Sequence, residues 1–133
     1  MPIQPYLFFN GRCEEAIEFY KKALDAKVTA LMRFSEAPGT PPPDSENKVM
    51  HSELKIGDAV LLASDGMGEM WGKPITFKGI ELALTAANPK EASRLFAALS
   101  DGGTVQMPLA ETFFSPSFGS LTDRFGVPWM VVV

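Results

Sequence analysis

An internal repeat limits the possible folds of this 133-residue chain more than any other feature. The segment PYLFFNGRCEEAIEFYKKAL (residues 5–24) aligns with ELALTAANPKEASRLFAALS (residues 81–100) at an offset of 76. The alignment matches apolar positions that follow the i, i+3, i+4, i+7 spacing of one helix face. These pairs are Ala16 with Ala92, Phe19 with Leu95, Tyr20 with Phe96, and Ala23 with Leu99. The repeat therefore predicts one amphipathic helix in each half of the chain.

Residues typical of helix N-termini indicate where both helices begin. In the second helix Asn88 is a suitable N-cap and Pro89 a suitable first-turn residue. The first helix is expected to start near the Asn-Gly pair at residues 10–11, with Glu14 and Glu15 at the positive end of its dipole.

Each helix is preceded by one strand-like stretch and followed by three. A second internal match, IGDAVLLAS with FGVPWMVVV, has an offset of 69, and Gly57-Asp58 and Gly126-Val127 are typical hairpin turns. Two matches of this kind favour a duplication and an α+β fold of two βαβββ modules. We predict strands at residues 3–9, 27–35, 48–56 and 58–64, and again at 79–85, 104–109, 118–125 and 128–133.

The modules are expected to form one domain, with module 1 at about residues 1–64, a linking loop at about 65–77, and module 2 at about 78–133. The proline-rich residues 35–47 suit a surface loop rather than a helix or a central strand. The joining segment SDGMGEMWGKPITF carries two methionines and Trp71 among its glycines. Such a segment is either a lid or a loop that packs on the sheet.

Composition excludes several classes of function. The net charge is −4, so the chain has no basic excess with which to bind nucleic acid. No apolar run approaches the length of a membrane span, and the first residues do not resemble a signal peptide. The single cysteine, Cys13, cannot form an internal disulfide. These features predict a cytoplasmic protein.

The repeat resembles the vicinal oxygen chelate superfamily, which contains glyoxalase I, bleomycin-resistance proteins and extradiol dioxygenases. PYLFFNGRCEEAIEFYKKAL, VMHSELKIGD and ETFFSPSFGSLTDRFGVPWMV are similar to its PhnB-like subgroup, whose members are often described as 3-demethylubiquinone-9 3-methyltransferase-like. The resemblance covers essentially the whole chain. It implies mixed sheets that curl around a cavity with the helices outside, a small-molecule ligand, and a homodimer.

The methyltransferase description fits the residues poorly. Methyl transfer from S-adenosylmethionine usually requires a glycine-rich loop between a strand and a helix in a doubly wound sheet. The turns at Asn10-Gly11 and Ala87-Asn88 are poor substitutes for such a loop. We therefore expect methyl transfer not to be the activity.

The resemblance also implies where a divalent metal would bind. In the superfamily's enzymes the ligands lie on the first and last strands of each module, where this chain has Pro5, Leu61, Glu81 and Met130. Only Glu81 offers a hard donor, whereas a catalytic metal needs about three protein ligands. We therefore predict no metal site and no cofactor, although the residues alone do not exclude a divalent metal.

Strand alternation identifies candidate catalytic residues. In VMHSELKIG, Met50, Ser52, Leu54 and Ile56 are predicted to face the helix, which directs His51 and Glu53 to the opposite, concave face. His51 would shuttle protons and Glu53 would orient it, or His51 is a structural residue.

Glu81 is a further candidate for general base, because a carboxylate in an apolar cavity has a raised pKa. Its alternative role is a salt bridge across the sheet. Cys13, near the helix start, has either a lowered thiol pKa or only a packing role.

The segment ETFFSPSFG combines aromatic side chains with hydroxyls, the composition of a ligand pocket. The same aromatics would also suit the core or a dimer interface. The ligand-binding candidates are Thr112, Phe113, Phe114, Ser115 and Phe118.

Two small-molecule functions remain from the sequence, beside a purely structural role as a dimeric scaffold. The first is a small-molecule-binding or metal-independent enzyme-like protein that carries out lyase- or isomerase-type proton transfer. The second is a non-catalytic protein that sequesters a ligand, as antibiotic-resistance proteins do.

Overall fold

The computed structural model describes residues 1–133, which form two compact units, Met1–Pro74 and Ile75–Val133. Each unit contains four strands and one long helix in the order βαβββ, and each sheet is open. The predicted α+β fold with two βαβββ modules and mixed sheets is confirmed. The boundary between the units falls inside the predicted linking loop. No helix is long and apolar enough to cross a membrane.

The first unit has a sheet with strand order β1-β4-β3-β2, in which β1 is parallel to β4 and the other pairs are antiparallel. Helix α1 follows β1 and packs against β3. The elements are β1 Tyr6–Phe8, α1 Cys13–Leu24, β2 Lys27–Arg33, β3 Val49–Ile56 and β4 Ala59–Ser64.

The second unit repeats this topology with strand order β5-β8-β7-β6, where β5 is parallel to β8. Helix α2 packs against β6, β7 and β8. The elements are β5 Leu82–Thr85, α2 Pro89–Ser100, β6 Thr104–Ala110, β7 Phe118–Thr122 and β8 Pro128–Val132.

Three strands are shorter than the sequence indicated by three residues or more. Strand β1 begins at Tyr6 because the preceding Pro5 has no N–H, although its carbonyl accepts from the Leu62 amide at 3.0 Å. Strand β5 begins at Leu82, after a glycine at 79 with a φ of 73°. Strand β7 ends at Thr122, because Asp123 organises the turn that follows by accepting from the amides of Phe125 and Val127.

Both helices bury the face that the repeat predicted. Ala16, Tyr20 and Ala23 of α1 are buried, and so are Ala92, Leu95, Phe96 and Leu99 of α2. Phe19 is only half-buried, and Ile17 completes the buried face of α1 instead. A fully buried aliphatic or aromatic side chain of this size contributes about 1.5–3 kcal/mol.

The two helices begin in different ways. Asn88 is the N-cap of α2, as predicted, and its side chain accepts from the Glu91 amide at 2.9 Å. Helix α1 begins at Cys13 rather than at the Asn-Gly pair, because Asn10 and Gly11 both have positive φ. Its N-cap residue, Arg12, makes no side-chain capping bond.

A distant carboxylate caps α1 instead. Oδ1 of Asp65 accepts from the amide of Cys13 at 2.7 Å, and Oδ2 accepts from the amide of Val49 at 2.6 Å. Asp65 follows β4 directly and is buried, with 2% of its surface exposed. One carboxylate therefore connects the ends of β4, β3 and α1 by charge-assisted hydrogen bonds.

Asp65→Ala should reduce the free energy of unfolding by about 3–5 kcal/mol, because it leaves two buried amides without an acceptor. Urea denaturation followed by circular dichroism measures this loss. The control is Glu46→Ala, which removes an exposed carboxylate of the same unit and should change stability by no more than about 0.5 kcal/mol. Equal stability of the two variants would contradict the role given to Asp65.

Candidate active site

The first unit has an open pocket of about 590 Å³ on the face of its sheet that α1 does not cover. Strands β1 and β3, the end of β4 and the segment after β4 contribute to it. Most of its surface is apolar, with a few polar groups, as is usual for small-molecule sites. The pocket is lined by Tyr6, Phe8, Asn10, Phe34, Met50, Ser64, Gly66, Met67, Glu69 and Met70.

Strand β1 supplies one wall of the pocket through alternation. Leu7 points into the core and is 5% exposed, so its neighbours Tyr6 and Phe8 share the opposite face. Their rings stack with centroids 5.0 Å apart and an interplanar angle of 13°. Neither residue is among the sequence-based candidates, although alternation within YLF is the signal that could have indicated them.

Met50 reaches the pocket because β3 contains a bulge. The consecutive residues Met32 and Arg33 of β2 pair with His51 and Val49 of β3. Met50 therefore has no partner on β2 and is the extra residue of the bulge. The prediction that Met50 faces the helix is therefore wrong. Ser52 and Leu54, beyond the bulge, are buried as expected.

The segment after β4 packs on the first unit and forms another wall of the pocket. The indole N–H of Trp71 donates to the Gly66 carbonyl at 3.1 Å. The Trp71 ring contacts that of Phe34 edge-on, with the ring centroids 6.3 Å apart. Gly11 allows this approach, since a Cβ there would lie 3.2 Å from the Cβ of Trp71. Of the two roles considered for this segment, the structure shows the packing one.

The side chain of Asn10 fixes the end of this segment. Its side-chain amide donates to the carbonyls of Lys73 and Pro74 at 3.3 and 3.2 Å, and the backbone carbonyl of Asn10 accepts from the Gly72 amide at 2.9 Å. The thioethers of Met67 and Met70 are thereby held at the pocket.

His51 lies beside the pocket and is connected to it through Tyr6. Nδ1 of His51 is 2.7 Å from the Tyr6 hydroxyl, and the two rings are tilted with centroids 5.5 Å apart. Burial raises the pKa of Tyr6, and the neighbouring Cys13 raises it further. The phenol therefore keeps its proton near neutral pH and donates it to Nδ1 when that nitrogen is unprotonated.

Glu53 has a different partner from the one proposed from the sequence. Its Oε2 accepts from the hydroxyl of Thr29 on β2 at 2.7 Å. The ring of His51 is thus held by Tyr6, and no hydrogen bond joins it to Glu53.

Glu81 belongs to the second unit and is exposed. It precedes β5 and makes no ion pair. It lies at an open pocket of about 420 Å³ whose other lining residues are Phe77, Gly79, Ile80, Pro128 and Met130.

The superfamily's metal does not fit the residues of either unit. In the first unit Pro5 has no side-chain donor, and Leu61 is 6% exposed, a core residue rather than a residue of the open face. In the second unit the pair is one carboxylate, Glu81, and one thioether, Met130. No group of three or more His, Cys, Asp or Glu side chains is placed to hold a metal ion.

Of the five residues predicted to bind ligand, four lie in the turn that precedes β7 and Phe118 is the first residue of that strand. The hydroxyl of Thr112 accepts from the amides of Phe114 and Ser115, and the hydroxyl of Ser115 donates to the carbonyls of Ser117 and Val133. These hydroxyls are therefore engaged within the turn. Phe113 is fully exposed. Its ring contacts that of Phe114 edge-on with the centroids 5.1 Å apart, and the rings of Phe114 and Phe118 are also edge-on with the centroids 5.2 Å apart. None of the five lines either pocket described above.

Cys13 is a packing residue rather than a reactive thiol. It is completely buried, and its Sγ lies 4.0 Å from the hydroxyl of Ser52. Burial, followed by the charge of Asp65, raises the pKa of the thiol to about 12. The possibility of a lowered thiol pKa is therefore wrong, because the thiol is buried and an acidic side chain lies at the helix start.

Solved structures of similar proteins share this fold. Protein PA1353 from Pseudomonas aeruginosa is 43% identical, with a TM-score of 0.87 over 99% of this chain and 96% of that one. A Bacillus cereus PhnB protein, also described as a 3-demethylubiquinone-9 3-methyltransferase, is 28% identical, with a TM-score of 0.80 over 99% and 98%. A glyoxylase/bleomycin resistance protein/dioxygenase domain from Frankia sp. EAN1pec is 14% identical and shows likeness of fold alone, with a TM-score of 0.65 over 98% and 93%.

Sequence comparison gives the same relationship. Protein YjdN of Escherichia coli (strain K12) is 34% identical over 143 residues, which cover all of this chain and 95% of that protein. The family model described as 3-demethylubiquinone-9 3-methyltransferase matches residues 1–132. The chain therefore belongs to this family, which is the PhnB-like group that the sequence motifs indicated, and it shares its fold with a glyoxylase/bleomycin resistance protein/dioxygenase domain.

Proposed function

We propose that the protein binds a small, mainly apolar molecule in the pocket of its first unit, the Tyr6–Met70 pocket. One observation carries this proposal: an open cavity of about 590 Å³ whose walls are aromatic rings and thioethers, with only a few polar groups. Methionine side chains adapt to irregular ligands, and stacked aromatic rings provide a stiff apolar wall. The proposal matches the ligand-binding and ligand-sequestering functions that the sequence suggested.

The proposal does not include methyl transfer, despite the description of the family. Both sheets are mixed and largely antiparallel, whereas the expected framework for S-adenosylmethionine is a doubly wound parallel sheet. The start of α1 also offers no free anion site, because the carboxylate of Asp65 already accepts from its first amide.

The pocket is tested with N-phenyl-1-naphthylamine, a neutral fluorescent reporter of apolar sites. Phe8→Ala should raise its Kd about tenfold, since the variant removes one wall of the pocket. Phe8 is 50% exposed, so the variant should still fold. Fluorescence titration of the original protein and of the variant gives the two Kd values.

The matched control is Phe113→Ala, which removes an equally large exposed ring from the second unit. Its Kd should stay within about twofold of the original. If Phe113→Ala weakens binding and Phe8→Ala does not, the ligand site is at residues 112–118, as the sequence suggested, and the proposed pocket is wrong.

Proton transfer is a second candidate function, favoured by the hydrogen bond between Tyr6 and His51. Tyr6 lines the pocket, and its hydroxyl is 2.7 Å from a histidine nitrogen that can accept or donate a proton. A ligand C–H next to a carbonyl would then exchange its proton by way of this pair. Glu53 and Glu81 remain sequence-based candidates without a place in this route.

Deuterium uptake at the acidic C–H of phenylacetone, followed by NMR in D₂O, tests proton transfer. The protein should accelerate uptake, and His51→Ala and Tyr6→Phe should each lower the accelerated rate about a hundredfold, because each removes one partner of the pair. Glu111→Ala, an exposed change in the second unit, is the control. An acceleration that survives His51→Ala would leave His51 with a structural role, and no acceleration at all would favour ligand sequestration.

We also propose a homodimer, as the superfamily resemblance implies. Its support is the exposed apolar surface of the second unit, where Val105, Met107, Phe113 and Phe114 are each more than 40% exposed. Exposed apolar clusters of this kind commonly mark an interface or a ligand site. Trp71 of the joining segment packs within the first unit instead. A cytoplasmic location remains a sequence-based prediction.

Sedimentation velocity at tens of micromolar should show a dimer. The double variant Phe113→Ser/Phe114→Ser should weaken dimerisation at least about tenfold, since large aromatic contacts dominate interfaces. Ile3→Ser, which changes an isolated exposed side chain, should leave dimerisation unchanged. A monomeric protein at these concentrations would contradict the proposal.

A further inference from the structure

The Tyr6–Met70 pocket has one charged lining residue, Glu69, and that charge is negative. Glu69 lies on a short 3-10 turn, Gly68–Met70, where its side chain is exposed and makes neither an ion pair nor a hydrogen bond. The other long acidic side chains near α1 are engaged, as Glu14 is with Arg33 at 2.7 Å. The carboxylate of Glu69 is therefore free to interact with a ligand in this pocket.

No basic side chain lines the pocket. Lys48 comes close to it in the chain, two residues before Met50, but its ammonium has other contacts. It donates to the Gly11 carbonyl at 2.9 Å and lies 5.8 Å from the centroid of the Trp71 ring. Lys73, which follows the pocket segment, does not line the pocket, and the bonds it makes here are those of its backbone with Asn10 and Met70.

The uncharged walls also favour a cation over an anion. Three aromatic side chains line the pocket, those of Tyr6, Phe8 and Phe34. Their π faces attract cations, and an alkylated ammonium benefits most because it loses little hydration on binding. The polarizable thioethers of Met50, Met67 and Met70 accommodate the apolar body of such a ligand.

From these observations we propose that the pocket selects organic cations, meaning ligands with an apolar body and an alkylated or protonated amine. Glu69 faces the ammonium group, and the aromatic walls hold the remainder. This inference rests on the proposed binding function of the same pocket and adds the chemical class of its ligand. Anions of similar size are excluded by the unpaired carboxylate.

Two probes of the same shape test the inference. Phenyltrimethylammonium and tert-butylbenzene differ only in that a charged nitrogen replaces a neutral carbon, and benzoate serves as the anionic probe. Titrations of ¹⁵N-labelled protein, followed at the backbone amides of Gly66 and Met67, give each Kd and locate the site. The cation should bind at least about fivefold more tightly than its neutral counterpart, and benzoate should not bind.

Glu69→Gln keeps the size of the side chain and removes its charge. It should raise the Kd of the cation about fivefold and leave that of tert-butylbenzene unchanged. Glu46→Gln, which removes an exposed carboxylate that does not line the pocket, should change neither.

Equal affinity for the two isosteric probes, or an equal effect of Glu69→Gln on both, would overturn the cation preference. Binding of tert-butylbenzene in that case still supports the proposed apolar pocket. If neither probe shifts the pocket amides and Phe8→Ala leaves the naphthylamine reporter unaffected, the binding function itself is wrong.

Discussion

The first unit depends on one buried carboxylate. Asp65 accepts from the first amide of α1 and from the first amide of β3, and its own backbone bonds to Gly11 and Val49. The residues on either side of it, Ser64 and Gly66, line the pocket. The interaction that fixes the core of this unit therefore also fixes one edge of its candidate site.

The parts of the structure that sequence predicted are those that arise from local patterns. The apolar face of each helix, the hairpin turns and the Asn88 cap all follow from residues within a few positions of one another. The cap of α1 was not predictable in this way, because Asp65 lies 52 residues from Cys13 along the chain. Only the pairing of β1 with β4 brings these two residues together.

The candidate site was harder to predict for a similar reason. Alternation along β3 was correct from Ser52 onward but failed at Met50, where one extra residue in the strand changes which face a side chain occupies. His51 was identified by its residue type, whereas its partner Tyr6 lies 45 residues away on a strand that is only three residues long. Bulges and pairing between distant strands are tertiary features, and an approximate twofold repeat contains no information about either.

The pocket combines rigid and adaptable walls, and this division bears on how its specificity is set. Tyr6 and Phe8 are held by the sheet and by their mutual stacking, so their positions follow from the fold. The side chains of Met67, Glu69 and Met70 are exposed, although the ends of the segment that carries them are fixed by Asp65 and Asn10. Substitutions of these three side chains change the charge and shape of the pocket without disturbing a buried contact. If the pocket binds a ligand as we propose, selectivity resides in these three side chains, whereas the affinity common to all apolar ligands resides in the strands.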